Sequence, residues 1–449
     1  MGLNSRYNCL FARAVSLLLI ALLATPSWGE QVRVGLMRSS GHASGFTISS
    51  TSDFTASDQQ GNTLLTVSAE EPLLLKVGEG RTLSLYVVGS DIRLAVKVRL
   101  EASDKEGRFS VSSPTGATSE YRGVLEVCNE AGGGLLLINE LDVEDYLLGV
   151  VPSEMPSVFH KEALKAQAIA ARTYTLANVG KHDRLGYGLC DGVCCQRYQG
   201  ASGEQDTVSL AVRETQGMII TYEGKPIHAL YSANCGGYSE SVINAGGHEF
   251  PYLRSRPDRA ASDQPDFCAN SAGYRWTKTY TSAQIQELLN RAGYKVSDIE
   301  SIAIAGVNAS GRVTGIRIKC LEGEIRLSGV QFRHALGNSA IKSALFSLSA
   351  TSDGDFVFEG KGFGHGVGLC QHGANMMAAS PREYGFRDIL AHYYPGTTLQ
   401  PIKPEVSQPP AIGPVVCEQP EPVYTPVDSA ESAESTKKKP RQGTWPWNF

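Results

Sequence analysis

Glu154 stands between Pro152 and Pro156 with Met155 beside it, directly ahead of a segment rich in helix formers. Proline fixes φ, so the backbone on both sides of this acid is stiff. A carboxylic acid held rigidly among apolar neighbours is disfavoured in its charged form, which suits a general acid. The competing reading is an acid placed in the first turn of a helix, where the dipole favours it. Lys165 and Arg172 follow on the expected helix, nearly two turns apart, so both cations share one face, with Ala168 and Ala171 leaving room between them. That spacing fits a groove whose cations orient Glu154 or grip a ligand, and it equally fits a solvated charged face. A third concentration of chemistry is the bunch Cys190, Cys194 and Cys195, open to metal binding or to disulfide formation.

The elements that must position these residues are mixed. Ala and Leu predict a helix from about His160 to Asn178, and further helices are expected at Val208 to Thr215, Thr281 to Ala292 and Phe386 to Tyr393. Strands are expected at Met218 to Tyr222, Ile227 to Tyr231, Ser301 to Ala305 and Thr314 to Lys319, and a strand pair around Val124 to Val127 and Leu135 to Ile138. From Gln31 to about Glu120 the pattern is β; Ile92, Leu94, Val96, Val98 and Leu100 alternate with other residues as in one strand with a wet face. Strands and helices mix without regular alternation, so the expected fold class is α+β: a mixed sheet-and-helix core with an N-terminal β-rich module.

The string VVPSEMP followed by ALKAQAIAARTY resembles the signature of the SpoIID/LytB family, the stage II sporulation D or amidase-enhancer family. Three later blocks fit the same pattern in the same order: LCDGVCCQRYQG ending at Gly200, YSANCGGYSES from Tyr231 with PYLRS from Pro251, and GKGFGHGVGLCQHGA from Gly360 with HYYPGT from His392. The resemblance implies action on bacterial peptidoglycan, as a lytic transglycosylase that cuts between N-acetylmuramic acid and N-acetylglucosamine in strands stripped of stem peptides. It implies Glu154 as catalytic acid, and Lys165 and Arg172 as helix residues needed for activity. One carboxyl group suffices, because the sugar's own 6-hydroxyl attacks and closes a 1,6-anhydro ring, in contrast to two-carboxylate hydrolysis. The second function the resemblance allows is a non-catalytic peptidoglycan binder that enhances a partner amidase.

Some members of the family bind zinc in the cysteine segment, which implies a structural ion here held by His182, Cys190, Cys194 and Cys195. The sequence departs from such members at Cys194, where histidine is usual, and a disulfide remains the other reading. Cys235 with Cys268, and Cys320 with Cys370, are further candidates for pairing. In the glycine-rich block His365 and Gln371 are expected to bind sugar hydroxyls or acetamido groups, glycine allowing close backbone approach. Tyr231, Ser232, Gly236 and Gly237 are expected to line the same groove. A zinc hydrolase is disfavoured, since no HExxH pairing occurs.

Length and composition frame these expectations. The 449 residues suggest two or three structural units, and a net charge of -5 excludes a whole-chain basic field for nucleic acid. Arg6 and Arg13 precede an apolar run from Ala14 to Ala24 and small residues to Gly29, which reads as a signal peptide over residues 1–29 and an exported protein, in the periplasm or cell envelope. The expected organisation continues with the β module at 30–120, the family-like core at 121–400, and a disordered tail at 401–449 that holds ten of the 21 prolines.

Overall fold

The computed structural model describes residues 30–36, 43–130, 133–244, 247–321 and 323–402. The expected signal peptide, and the expected tail beyond residue 402, lie outside these residues. Strands and helices mix as an α+β fold. No helix among the described residues is long and apolar enough to cross a membrane.

Three helices follow the first run of strands: α1 (Val143–Glu154), α2 (Lys161–Asn178) and α3 (Asp206–Glu214). Asp142 caps α1 by accepting the Glu144 N–H at 2.8 Å. Pro156 ends it: the residue before a proline is pushed out of the helical region, and Met155 is extended, with φ -132 and ψ 131. Glu154 is thereby the last residue of a helix and not the forerunner of the next, so the first-turn reading of this acid is excluded. His160 opens α2, its Nδ1 accepting the Glu162 N–H at 3.3 Å. The alanines and leucines of α2 are buried almost all round, as in a helix enclosed by its protein.

A seven-stranded sheet runs in the order Leu189–Cys190, Gln31–Gly35, Leu135–Asp142, Val124–Asn129, Lys97–Ala102, Phe54–Ser57, Thr63–Val67. A six-stranded sheet, Thr118–Tyr121, Phe109–Ser112, Gly45–Ser50, Leu73–Val77, Leu83–Val87, Arg93–Ala95, shares its hydrophobic core with the first sheet and the helices. The boundary expected near residue 120 therefore falls inside one body, since Leu125 pairs with Leu100 and Val127 with Val98 across it. The strand expected from Ile92 to Leu100 is also divided, between the two sheets. Its alternation changes phase at Val96: Ile92, Leu94 and Val96 are exposed, while Ala95, Val98 and Leu100 are buried. A one-residue shift exchanges the faces of a strand, and here it accompanies the crossing from one sheet to the other.

Residues 275–361 carry a core of their own. Two three-stranded antiparallel sheets, one of Arg275–Tyr280, Phe356–Lys361 and Phe346–Ala350, the other of Ile299–Val307, Val313–Cys320 and Gly323–Leu327, pack with α4 (Ser282–Arg291) and α5 (Gly329–Leu336). The chain then returns to the main core through the short parallel pairing of Leu369–Cys370 with Tyr231–Ser232, followed by α6 (Gln371–Ala378) and α7 (Phe386–Tyr393).

Candidate active site

A cavity of about 300 Å³ opens where the end of α1, the cysteine loop, strand Tyr231–Ser232 and the glycine-rich block meet. Glu154 lines it and is the one carboxylate residue to do so among the described residues. The acid is fixed from two directions. Its Oε1 accepts the Arg197 main-chain N–H at 2.6 Å, and its carbonyl accepts from Gln371 Nε2 at 3.1 Å. Around it stand Tyr174 and Tyr231, whose phenols are pushed well above their ordinary range, chiefly by burial, then by the nearby cysteine sulfurs for Tyr174 and by Glu154 for Tyr231. Both therefore stay protonated. The Tyr231 hydroxyl donates to Gln196 Oε1 at 2.9 Å. Ser232 Oγ is buried in the wall with no hydrogen-bond partner, which leaves a polar group suited to a ligand.

The cysteine loop forms one wall. His182 Nε2 lies 3.5 Å from Cys194 Sγ and 3.3 Å from Cys195 Sγ, and the donor atoms of His182, Cys190, Cys194 and Cys195 lie within 4.8 Å of one another. Zinc–sulfur bonds near 2.3 Å and zinc–nitrogen bonds near 2.0 Å, set at a tetrahedral angle, separate nitrogen from sulfur by about 3.5 Å. The four residues thus fit a zinc ion, and the adjacent Cys194 and Cys195 both turn their sulfurs inward. The thiols are free. Burial alone would lower the pKa of His182, but the Cys190 and Cys194 sulfurs overcome it and hold the imidazole up at about 9. Lys181 Nζ donates to the Cys194 carbonyl and ties the loop to the end of α2.

The other expected site residues are placed unevenly. Arg172 does not face the cavity: it is fully buried, its Nε and Nη2 paired with Glu144 at 2.7 and 2.6 Å, with further bonds to the Met218 and Val212 carbonyls. Lys165 pairs with Glu162 at 3.1 Å and Glu214 at 2.8 Å, joining α2 to α3. Neither cation lines the cavity or bonds Glu154, because the helix face they share packs against other helices and is not a groove. Gly236 and Gly237 lie outside the cavity lining; with φ of +76 and +97 they turn the chain, and a Cβ on Gly237 would stand 2.0 Å from Asp266 Oδ2. Gln371 does line the cavity, but its amide nitrogen serves Glu154 and Gln167. His365 also lines it. Its Nδ1 accepts the Val367 N–H at 3.0 Å, and burial, then the nearby Arg333, push its pKa down to about 3, so it is a neutral imidazole.

Of the expected pairings, Cys320 is remote from Cys370: it belongs to the second core, while Cys370 packs in the main one. Cys235 and Cys268 are neighbours, with free thiols 3.7 Å apart. The cations that do line the cavity are Lys181 and Arg197, and Phe363 and Tyr174 are among its other additions. Lys181 and Arg197 flank the cysteine bunch closely in sequence, which is the signal that could have found them. Phe363, partly exposed, stands inside the glycine-rich string, where its distance from Glu154 in sequence hid it.

The family described as stage II sporulation protein matches residues 131–222, the segment that carries α1, α2, the cysteine loop and α3. A domain of unknown function matches residues 259–368, which enclose the second core. The chain is 33% identical over 266 residues to an uncharacterized protein of Brachyspira hyodysenteriae, spanning 59% of this chain and 68% of that relative. It is 32% identical over 283 residues to stage II sporulation protein D of Bacillus amyloliquefaciens, spanning 58% of this chain and 75% of the relative. Against the amidase enhancer of Bacillus subtilis the identity is 28% over 291 residues, 56% of this chain and 40% of the relative.

Proposed function

The chain belongs to the SpoIID/LytB family, and from that premise and the cavity around Glu154 we propose that it is an exported lytic transglycosylase of peptidoglycan. A cell-wall-related role follows from its relatives. The observation that carries the finer reading is Glu154 itself, a single carboxylate in a lined cavity, its main chain and one oxygen both pinned. The usual glycosidase schemes, with an external water or a protein nucleophile, use a second carboxylate; closure of an anhydro ring does not. Glu154 as an acid gives its proton to the glycosidic oxygen as the bond from the N-acetylmuramic acid anomeric carbon breaks. The carboxylate then takes the proton from that sugar's 6-hydroxyl, whose oxygen bonds to the anomeric carbon.

The remaining groups bind and orient. Tyr174 and Ser232 offer hydroxyls to the sugars, and the partly exposed Phe363 offers a ring face to a pyranose. Lys181 and Arg197 suit the lactyl carboxylate that N-acetylmuramic acid exposes once its stem peptide is gone. A zinc ion held by His182, Cys190, Cys194 and Cys195 would supply a rigid cross-link, since four protein donors fill a tetrahedral shell. The loop so fixed delivers the Arg197 N–H to Glu154.

The test is digestion of purified, peptide-free glycan strands. Glu154→Gln is expected to lower 1,6-anhydro products by about a thousandfold while glycan binding persists; equal turnover by the variant sinks the assignment. The likeness to the amidase enhancer supports a second reading, a peptidoglycan binder that stimulates an amidase. On that reading the purified chain releases no muropeptides by itself, and Glu154→Gln stimulates amidase release of stem peptides as well as the parent chain does.

A further inference from the structure

We infer that Cys235, Asp258, Cys268 and Cys370 form a second, structural zinc site, separate from the cluster on the cysteine loop. One donor atom from each of the four lies within 4.8 Å of the others, and all four residues are buried. Cys235 Sγ and Cys268 Sγ are 3.7 Å apart. Two sulfurs bound to one zinc at about 2.3 Å and a tetrahedral angle are about 3.8 Å apart, so this spacing is that of a coordination tetrahedron's edge. Three sulfurs with one carboxylate oxygen select zinc over calcium or magnesium, which take oxygen ligands. A disulfide would use two of the three sulfurs and leave the third beside Asp258 without a covalent partner.

The surroundings are those of a metal site's outer layer. Cys370 Sγ accepts the main-chain N–H groups of Cys235 at 3.2 Å and Gly373 at 3.4 Å, bonds that stabilise sulfur as a thiolate. Asp258 Oδ1 accepts from the Tyr393 hydroxyl at 2.6 Å, and Oδ2 accepts the Cys268 N–H at 3.1 Å, which fixes the carboxylate's orientation. Room for this arrangement depends on Gly373, where a Cβ would stand 2.8 Å from Asp258 Oδ1 and 2.2 Å from the Tyr393 oxygen. Three thiolates and a carboxylate exceed the charge of the ion. Buried Arg312, whose Nη2 donates to the Cys235 carbonyl at 2.7 Å, offsets part of the remainder.

The role follows from what the ligands hold. Cys235 lies just beyond strand Tyr231–Ser232, and Cys268 sits in the helical turn Phe267–Asn270. Cys370 caps α6, and the next residue, Gln371, grips the Glu154 carbonyl. The ion locks these segments together. All four positions are taken by protein and none opens to solvent, so the site is structural. The inference does not rest on the transglycosylase reading, and Glu154→Gln leaves metal content unchanged.

The experiment is elemental analysis of the purified full chain and of a Cys194→Ser, Cys195→Ser double variant in which the loop cluster is broken. The double variant is expected to retain one zinc per chain, and a further Cys268→Ser change to remove it; a folded double variant without zinc overturns the proposal. Should the variants fail to fold, the parent chain still decides. Non-reducing peptide mapping is expected to find Cys235, Cys268 and Cys370 as thiols, and cobalt exchanged for zinc to show thiolate charge-transfer absorption from two tetrahedral ions per chain. A disulfide among the three cysteines, or a parent chain that takes up no cobalt at all, overturns the proposal.

Discussion

His182, Cys190, Cys194 and Cys195 lie along one short loop at the wall of the cavity, partly open to solvent. Cys235, Asp258, Cys268 and Cys370 are fully buried and come from segments as much as 135 residues apart. Both clusters bear on the same acid. The first lies on the loop whose Arg197 N–H meets the Glu154 carboxylate, and the second includes Cys370 at the start of α6, where Gln371 meets the Glu154 carbonyl. On the proposed function the difference teaches a division of labour: the partly exposed cluster would govern the carboxylate of Glu154, and the buried one the main chain behind it and the packing of the core.

The sharpest way to break that comparison is to damage each cluster in turn. Cys370→Ala is expected to cost about 4 kcal/mol in denaturant unfolding, because it removes a ligand from the core and leaves its partners unmatched. Cys194→Ser is expected to cost far less stability but to lower glycan cleavage by about 10- to 100-fold. Equal losses of stability in the two variants would show that the clusters are not different in kind.

If the acid's geometry comes from the clusters, the α2 cations matter to folding alone. Arg172→Met strands the Glu144 carboxylate, which is 15% exposed, and is expected to cost about 3 kcal/mol. The surviving folded fraction should cleave glycan at the parent rate per folded molecule; a specific loss of turnover would restore Arg172 to the site.

A smaller effect concerns pH. His365 has its pKa lowered to about 3 by burial and Arg333, against an ordinary value near 6.5 when unfolded. Between those values the unfolded chain binds the proton that the folded chain refuses, so the contribution of His365 is fully present above about pH 6.5 and is lost as pH falls toward 3. His365→Asn, whose side-chain oxygen can still accept the Val367 N–H, is expected to flatten the decline in stability from pH 6.5 to 4. An unchanged slope would show that His365 is protonated in the folded chain.

The smallest effect is expected at Lys165, which bridges Glu162 and the partly exposed Glu214. Lys165→Met should change stability by about 1 kcal/mol or less and leave cleavage unaltered. A large fall in turnover would mean that the cations of α2 reach the substrate after all.

What the sequence determined by itself is local. Pro156 forces Met155 out of the helix and so leaves Glu154 at a helix end. Short chain separation keeps His182 and its cysteines near one another almost whatever surrounds them, and the alanines and leucines of α2 make a helix that His160 caps. The spaced blocks also carried the family. Tertiary structure decided the rest. Whether Arg172 faced solvent, a groove or Glu144 could not follow from helical spacing, because the face of a helix is defined by what packs on it. The phase change at Val96 and the single sheet that runs across residue 120 depend on pairings between distant strands. The buried cluster shows the reason most clearly: in sequence its members are unrelated single residues, and burial of a common core is what brings three sulfurs and a carboxylate within 4.8 Å of one another.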